Sequence, residues 1–169
     1  EEQESLGEGA GLLDAPVRAT APPPEPAPVL PGGDAPLLLV ADDSEPNVAA
    51  LQAWLAAAGY RVAVARNGAE AVERALDVRP DLVLMDAQMP GVDGLEATRR
   101  IREREQGRRV PIVALTALAT AADRERILAA GADDYLVKPV PLARLAEVVA
   151  GHLRRAAEPL APGVSRPPV

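Results

Sequence analysis

Five short apolar runs alternate with five helical patterns along the middle of the chain, and this alternation limits the folds open to it. Runs of this length, rich in Leu, Val, Ile and Ala, are typical of strands buried on both faces. Strands and helices that alternate through short connections form a parallel sheet with helices on both sides. We therefore predict a doubly wound α/β domain whose ligand site lies at the carboxyl ends of the strands. The strands are predicted at residues 37–41, 61–65, 82–85, 111–115 and 135–137, and the helices at 46–58, 69–78, 95–104, 121–130 and 142–155.

The segments on either side of this pattern are rich in proline. Residues 1–36 contain eight prolines, seven acidic residues and one arginine, so they carry most of the net charge of −7. Residues 156–169 contain four more prolines. Such a composition disfavours helices and sheet ladders and favours an extended, semi-rigid chain. We predict a Pro-rich acidic linker at 1–36, one folded domain at 37–155 and a Pro-rich tail at 156–169.

The composition also argues against several classes of function. The chain has no cysteine, which excludes disulfides, thiolate catalysis and cysteine metal sites, and fits the reducing cytoplasm. With no Phe, one Trp and two Tyr, it offers little for stacking nucleic-acid bases. No apolar run approaches the roughly 18 residues that cross a bilayer. We expect a cytoplasmic segment that contacts neither nucleic acid nor membrane.

Polar side chains follow four of the five predicted strands. Asp42 and Asp43 follow the first strand, Asp86 follows the third, Thr116 the fourth and Lys138 the fifth. The second strand contributes none, as expected for a strand at the edge of the sheet. The lysine is the only one among the 18 basic residues. Because the carboxyl ends of parallel strands meet at one edge, these side chains should lie together.

The chemistry of this cluster suits phosphoryl transfer. Three close carboxylates repel one another and need a cation, and oxygen ligands without Cys or His indicate Mg²⁺. One carboxylate can then attack phosphorus and form an acyl phosphate. The ammonium and the hydroxyl can bind the remaining phosphoryl oxygens.

Four segments resemble the motifs of a known family, in the same order and spacing. They are LLLVADD, LVLMDAQMPGVDG, PIVALTA and GADDYLVKP, and the family is that of response-regulator receiver domains. The resemblance covers residues 37–155. It implies a flavodoxin-like sheet with strand order 2-1-3-4-5 and a switch in a two-component phosphorelay, which takes a phosphoryl group from a phosphohistidine.

The resemblance also implies a role for each acidic site residue. Asp86 would be the phosphoacceptor. Asp43, Asp86 and the backbone carbonyl of Gln88 would coordinate Mg²⁺, and Asp42 would act through bound water.

Three further residues gain roles in the same way. Thr116 and Lys138 would contact the phosphoryl group, and the Lys138–Pro139 peptide is expected to be cis. Tyr135 would be the switch aromatic, whose rotamer follows Thr116 on activation.

Some features are similar to receivers fused to hybrid histidine kinases. They are Asn47, the string DGLEATRRIR and the proline-rich linker. Stand-alone single-domain regulators share parts of this pattern and form the alternative. In both cases the expected partner is a histidine kinase, the parent kinase core or a histidine phosphotransfer protein. The surface from Ala121 to Leu145 would pass the signal on.

Two rival functions fit the sequence less well. A Mg²⁺-dependent phosphatase of the haloacid-dehalogenase type also uses an Asp after a strand, but it needs a second Asp where this chain has Gln88. A receiver-like scaffold would work without phosphorylation, yet all five site residues are present. Leu118 offers no group to orient water, so we expect a phosphoryl group that lasts much longer than seconds.

The single histidine, the single tryptophan and an arginine-rich segment are predicted to have structural roles. His152, the only histidine, is predicted to be an ordinary surface or half-buried side chain and not a phosphodonor. Trp54 is predicted in the core with Leu51 and Leu55. Residues 99–109 are predicted to form a solvated helix face with ion pairs.

Overall fold

The computed structural model describes residues 26–27, 33–118 and 120–157. It contains five strands and five helices in strict alternation, as the apolar runs predict. Their boundaries agree with the predicted ones to within two residues. The elements are β1 (Leu37–Ala41), α1 (Glu45–Ala57), β2 (Arg61–Ala65), α2 (Gly68–Asp77), β3 (Leu82–Asp86), α3 (Gly94–Arg104), β4 (Ile112–Thr116), α4 (Ala121–Ala129), β5 (Asp134–Val137) and α5 (Leu142–Ala157).

All five strands are parallel and lie in the order β2-β1-β3-β4-β5. This confirms the predicted topology and the edge position of β2. The register is continuous across the centre of the sheet, where Val40 pairs with Leu84 and Leu84 pairs with Val113. The carboxyl ends of β1, β3, β4 and β5 therefore meet along one edge.

The sheet is buried on both faces because alternate residues of each central strand enter different apolar clusters. In β1, Leu38 and Val40 join a cluster with α1 and α5, which includes Leu55 and Leu145. Leu39 faces the other way, into a cluster with α2 and α3. Burial on both faces is the reason the strands read as continuous apolar runs and not as alternating ones.

Short capping motifs fix where the helices on one face begin. The side chains of Asn67, Asp93 and Thr120 accept hydrogen bonds from backbone amides in the first turns of α2, α3 and α4. Each cap satisfies an amide that has no partner within its helix. The helices therefore begin directly after the loops that leave the carboxyl edge of the sheet.

A short part of the predicted linker contacts the domain. The amide of Ala27 donates to the carbonyl of Ala58 at 2.8 Å, and Ala27 packs against the α1–α5 cluster. Trp54 also packs partly buried against this cluster, as predicted. The rest of the predicted linker before residue 33, and the predicted tail from residue 158, lie outside the described residues. Among the described residues, no helix combines the length and apolar character needed to cross a bilayer.

Candidate functional site

Backbone hydrogen bonds continue past the strand ends and hold the residues that follow them. The amide of Asp42 donates to the carbonyl of Ala65 at 3.1 Å. The amide of Ala87, next to Asp86, donates to Leu115 at 2.8 Å. Lys138 is held in the same way by Thr116, at 2.7 Å. These hydrogen bonds extend the pairing of the strands to the residues that carry the side chains of Asp42, Asp86 and Lys138.

The structure brings the three predicted acids together. One carboxylate oxygen from each of Asp42, Asp43 and Asp86 lies within 4.8 Å of the others. Asp42 and Asp86 are buried, whereas Asp43 is exposed. An all-oxygen, highly charged donor set open to solvent on one side matches the preference of Mg²⁺, which keeps several waters and takes one or two carboxylates. The residues present thus fit a hard divalent cation.

Lys138 reaches into the same cluster. Its Nζ lies 3.1 Å from Oδ2 of Asp86 and 3.6 Å from Oδ2 of Asp42, and its side chain is 27% exposed. The ammonium offsets part of the repulsion among the acids. A flexible, compact cation that can exchange a carboxylate for another anion suits a site that receives a phosphoryl group.

The carboxyl group of Asp86 holds its proton more tightly in the folded protein than it would in water. Burial raises the pKa of this carboxyl group above its usual value. The backbone amide of Gln88, which donates to Oδ1 at 3.1 Å, and the ammonium of Lys138 both lower the pKa without cancelling the effect of burial. The carboxylate is therefore poorly solvated, and perturbed acids in such clusters are typical of functional sites.

Asp42 is positioned by the start of α1. Its Oδ1 accepts the amide of Ser44 at 2.8 Å, and its Oδ2 lies 3.5 Å from Nδ2 of Asn47. Sequence reasoning used Asn47 only for its resemblance to one subgroup and missed its contact with the site. The available signal was its position in the first turn of the helix that follows the two acids.

The structure gives Thr116 and Tyr135 partners other than the three acids. The hydroxyl of Thr116 is buried and exchanges hydrogen bonds with the backbone of Leu118, at 3.1 Å in both directions. Tyr135 pairs with Ala114 in the sheet, so it lies two residues before the carboxyl end of β5. Its ring lies 5.6 Å from the guanidinium carbon of Arg124.

The Lys138–Pro139 peptide and His152 were also described from the sequence. The Lys138–Pro139 peptide is cis, as predicted. His152 is more buried than predicted, with 9% of its surface exposed, and its Nε2 lies 3.2 Å from Oδ2 of Asp134. Asp134 lies on β5, 18 residues before His152 in sequence. The periodicity of α5 gives no information about a contact with another element.

Comparison with known proteins defines the class to which this fold and site belong. A family model for the response regulator receiver domain matches residues 38–150, so the chain belongs to that family. The family resemblance inferred from the four motifs is thereby confirmed.

Individual relatives come from several signalling contexts. The polar-differentiation response regulator DivK of Brucella anthropi is 37% identical over 116 residues, which are 69% of this chain and 94% of DivK. The receiver domain of the sensor histidine kinase PA1611 of Pseudomonas aeruginosa is 42% identical, with a TM-score of 0.66. It covers 71% of this chain and 98% of that one, and its structure has a magnesium ion coordinated in the active site cleft.

A third similarity involves a phosphotransfer complex. The match is to a chain of the co-crystal structure of the Saccharomyces cerevisiae histidine phosphotransfer protein Ypd1 with the receiver domain of its downstream response regulator Ssk1. It is 31% identical with a TM-score of 0.69, and covers 78% of this chain and 95% of that one.

Proposed function

We propose that this chain is a phosphoryl-accepting switch, in which Asp86 takes the phosphoryl group from a phosphohistidine. One observation carries the proposal: a buried carboxylate with a raised pKa ends the central strand, within reach of two further acids and the only lysine. A structural ion pair would not need two buried carboxylates beside one ammonium, with a third acid within 4.8 Å of both.

The chemistry assigns a task to each of these groups. An oxygen of Asp86 attacks phosphorus, the bond from phosphorus to the histidine nitrogen breaks, and that nitrogen takes up a proton. Lys138 can leave Asp86 and follow the transferred oxygens, because its ammonium pairs with anions without a fixed geometry. Thr116 would donate its hydroxyl to another phosphoryl oxygen after exchanging its bond to Leu118.

A divalent cation fits beside these groups. Asp43, Asp86 and the backbone carbonyl of Gln88 would hold Mg²⁺, with Asp42 acting through bound water. The metal would supply neutralisation of the negative charge that builds up around phosphorus. Removal of the metal should therefore abolish phosphorylation without unfolding the domain.

A cleft next to the site offers a place for the donor protein. It has a volume of about 480 Å³ and opens beside Asp42 and Lys138. It is lined by apolar side chains of α1, of the segment after β5 and of α5, among them Leu51, Val140 and Leu145. An apolar groove of this kind suits the face of a helix that presents a phosphohistidine, in a histidine kinase, the parent kinase core or a histidine phosphotransfer protein.

The likeness to the receiver domain of a sensor histidine kinase supports a hybrid-kinase context for this chain. Residues 1–36 would then be the linker that tethers the receiver at 37–155, and 156–169 a short tail. A stand-alone regulator is the alternative, supported by the match to nearly the whole of DivK. Both contexts use the same site.

Phosphorylation would be read out on the face formed by α4 and β5, within the surface from Ala121 to Leu145. Leu128 of α4 is 47% exposed and Val137 of β5 is 39% exposed, so apolar side chains are available to a partner there. A rearrangement of Thr116 towards the phosphoryl group would free space that Tyr135 can enter, changing this face.

The acceptor can be located with a donor that has a phosphorus–nitrogen bond. The protein is incubated with phosphoramidate and Mg²⁺, reduced with borohydride to convert an acyl phosphate to homoserine, and mapped by peptide mass spectrometry. We expect homoserine at position 86 alone. Conversion at Asp42 or Asp43 instead would contradict the assignment of the acceptor.

A further inference from the structure

Gly68, the first residue of α2, is buried and lies outside the acidic cluster. Its φ is outside the left-handed region in which the structure places five other glycines among the described residues. The backbone conformation therefore does not require glycine at this position. The reason for a glycine has to be sought in its neighbours.

The neighbour is the loop of residues 87–93, which follows the acceptor strand. A Cβ at position 68 would lie 2.0 Å from the carbonyl oxygen of Val92, 2.8 Å from its carbonyl carbon and 2.9 Å from its Cγ1. Cβ atoms essentially never come within 3.0 Å of a heavy atom from a residue distant in sequence. Two of these three atoms belong to the backbone, so they cannot move aside as a flexible side chain would. The loop or the helix would have to move.

The same loop ends at Gly94, the first residue of α3, which packs against the beginning of the loop. A Cβ there would lie 1.9 Å from the carbonyl oxygen of Asp86, and the amide of Gly94 donates to Ala87 at 3.2 Å. In sequence, Gln88 lies between Ala87 and Val92, the loop residues at these two close approaches. Its amide donates to the carboxylate of Asp86. The two ends of the loop therefore lie against each other, while Val92 within it lies against α2.

We infer that Gly68 is a positioning residue for phosphoryl transfer: its missing side chain lets α2 press the loop into place and hold the Gln88 amide on Asp86. This inference rests on the proposed function. A methyl group at position 68 forces a retreat of about 1 Å, and displacements of this size near a reacting centre can slow a reaction by about 100-fold.

The test compares Gly68→Ala with two matched variants. Gly151→Ala adds the same methyl group to α5, where the nearest of the surrounding atoms is Nη2 of Arg155 at 3.5 Å. Glu73→Gly loosens α2 itself at an exposed position. For each protein, the initial rate of phosphorylation by acetyl phosphate at saturating Mg²⁺ is measured, together with the ¹⁵N–¹H shift of the Gln88 amide.

We expect Gly68→Ala to be phosphorylated at least about tenfold more slowly than the wild type, with a displaced Gln88 amide signal. Gly151→Ala and Glu73→Gly should stay within twofold, with that signal unmoved. A Gly68→Ala rate within twofold of the wild type would overturn the inference and leave the proposed function intact. A wild type that accepts no phosphoryl group would overturn both.

A second variant covers the case in which Gly68→Ala does not fold. Val92→Ala removes the side-chain part of the contact with Gly68 without adding bulk, so the fold is retained. The loop loses support from α2, and we expect phosphorylation to slow several-fold while thermal unfolding remains cooperative. An unchanged rate in this variant would count against a positioning role for the contact.

Discussion

The side chain of Asp86 is only 6% exposed, and its carboxyl group interacts with the carboxylate of Asp42 as well as the ammonium of Lys138. Burial raises its pKa, so the folded protein binds a proton at this group more tightly than the unfolded chain does. The contribution of Asp86 to stability is therefore greatest when it is protonated. That contribution is lost as the pH rises from the unfolded value of about 3.8 through the raised pKa.

Because the pKa of Asp86 is raised in the folded protein, the ionised carboxylate opposes folding at pH 7, and this leads to a prediction for Asp86→Asn in the absence of metal. The neutral, isosteric side chain should raise the free energy of unfolding at pH 7 by on the order of 1 kcal/mol, because functional residues are often not optimal for stability. The gain should shrink as the pH is lowered towards 3.8. Urea unfolding at both pH values measures it, with the exposed Asp77→Asn as control. Destabilisation at pH 7 would show that the pair with Lys138 outweighs the burial.

Residue identities at the site were largely predictable, whereas several side-chain partners were not. Asp42, Asp86 and Lys138 stand out because each is a polar residue directly after an apolar strand, and the topology brings strand ends together. The hydroxyl of Thr116 bonds to Leu118, a local turn that its place at a strand end does not reveal. The contact between Asn47 and Asp42 depends on the angle at which α1 leaves the sheet.

Among the helices, α3 departs most from its sequence-based description. Residues 99–109 were predicted to be a solvated face, and Arg99 is indeed exposed and paired with Glu96. Arg102, however, has only 12% of its side chain exposed. It donates to the carbonyl of Gly131 at 2.8 Å and to Asp133 at 2.7 Å. These partners lie 29 and 31 residues away in sequence, beyond the reach of helix periodicity.

Asp133 in turn accepts the amide of Ile112 at 2.9 Å, so the arginine links α3 to the start of β4. Arg102→Ala should lower the free energy of unfolding by about 2 kcal/mol, because Asp133 and the carbonyls of Gly131 and Val110 each lose one charged donor. Arg99→Ala is the matched control on the same helix and should change little. Equal effects of the two substitutions in chemical unfolding would contradict the distinction drawn between them.

Across the whole molecule, the fold follows from the apolar runs, and the fold then fixes where the chemistry lies. A parallel sheet buried on both faces leaves polar side chains only at its ends, and four of five strands place them at the same edge. The composition of residues 1–36 predicts an extended linker, but not the hydrogen bond from Ala27 to Ala58. Such a contact depends on tertiary structure at the end of α1, which proline content does not encode.

The central claim is that Asp86 accepts a phosphoryl group with the help of a divalent cation. Intact mass is measured after incubation with acetyl phosphate, with Mg²⁺ or with EDTA, for the wild type, Asp86→Asn and Asp77→Asn. We predict a gain of one phosphoryl group in the wild type and in Asp77→Asn with Mg²⁺ only, and none in Asp86→Asn. A gain that survives in Asp86→Asn, or a wild type that gains nothing with Mg²⁺, would contradict the account.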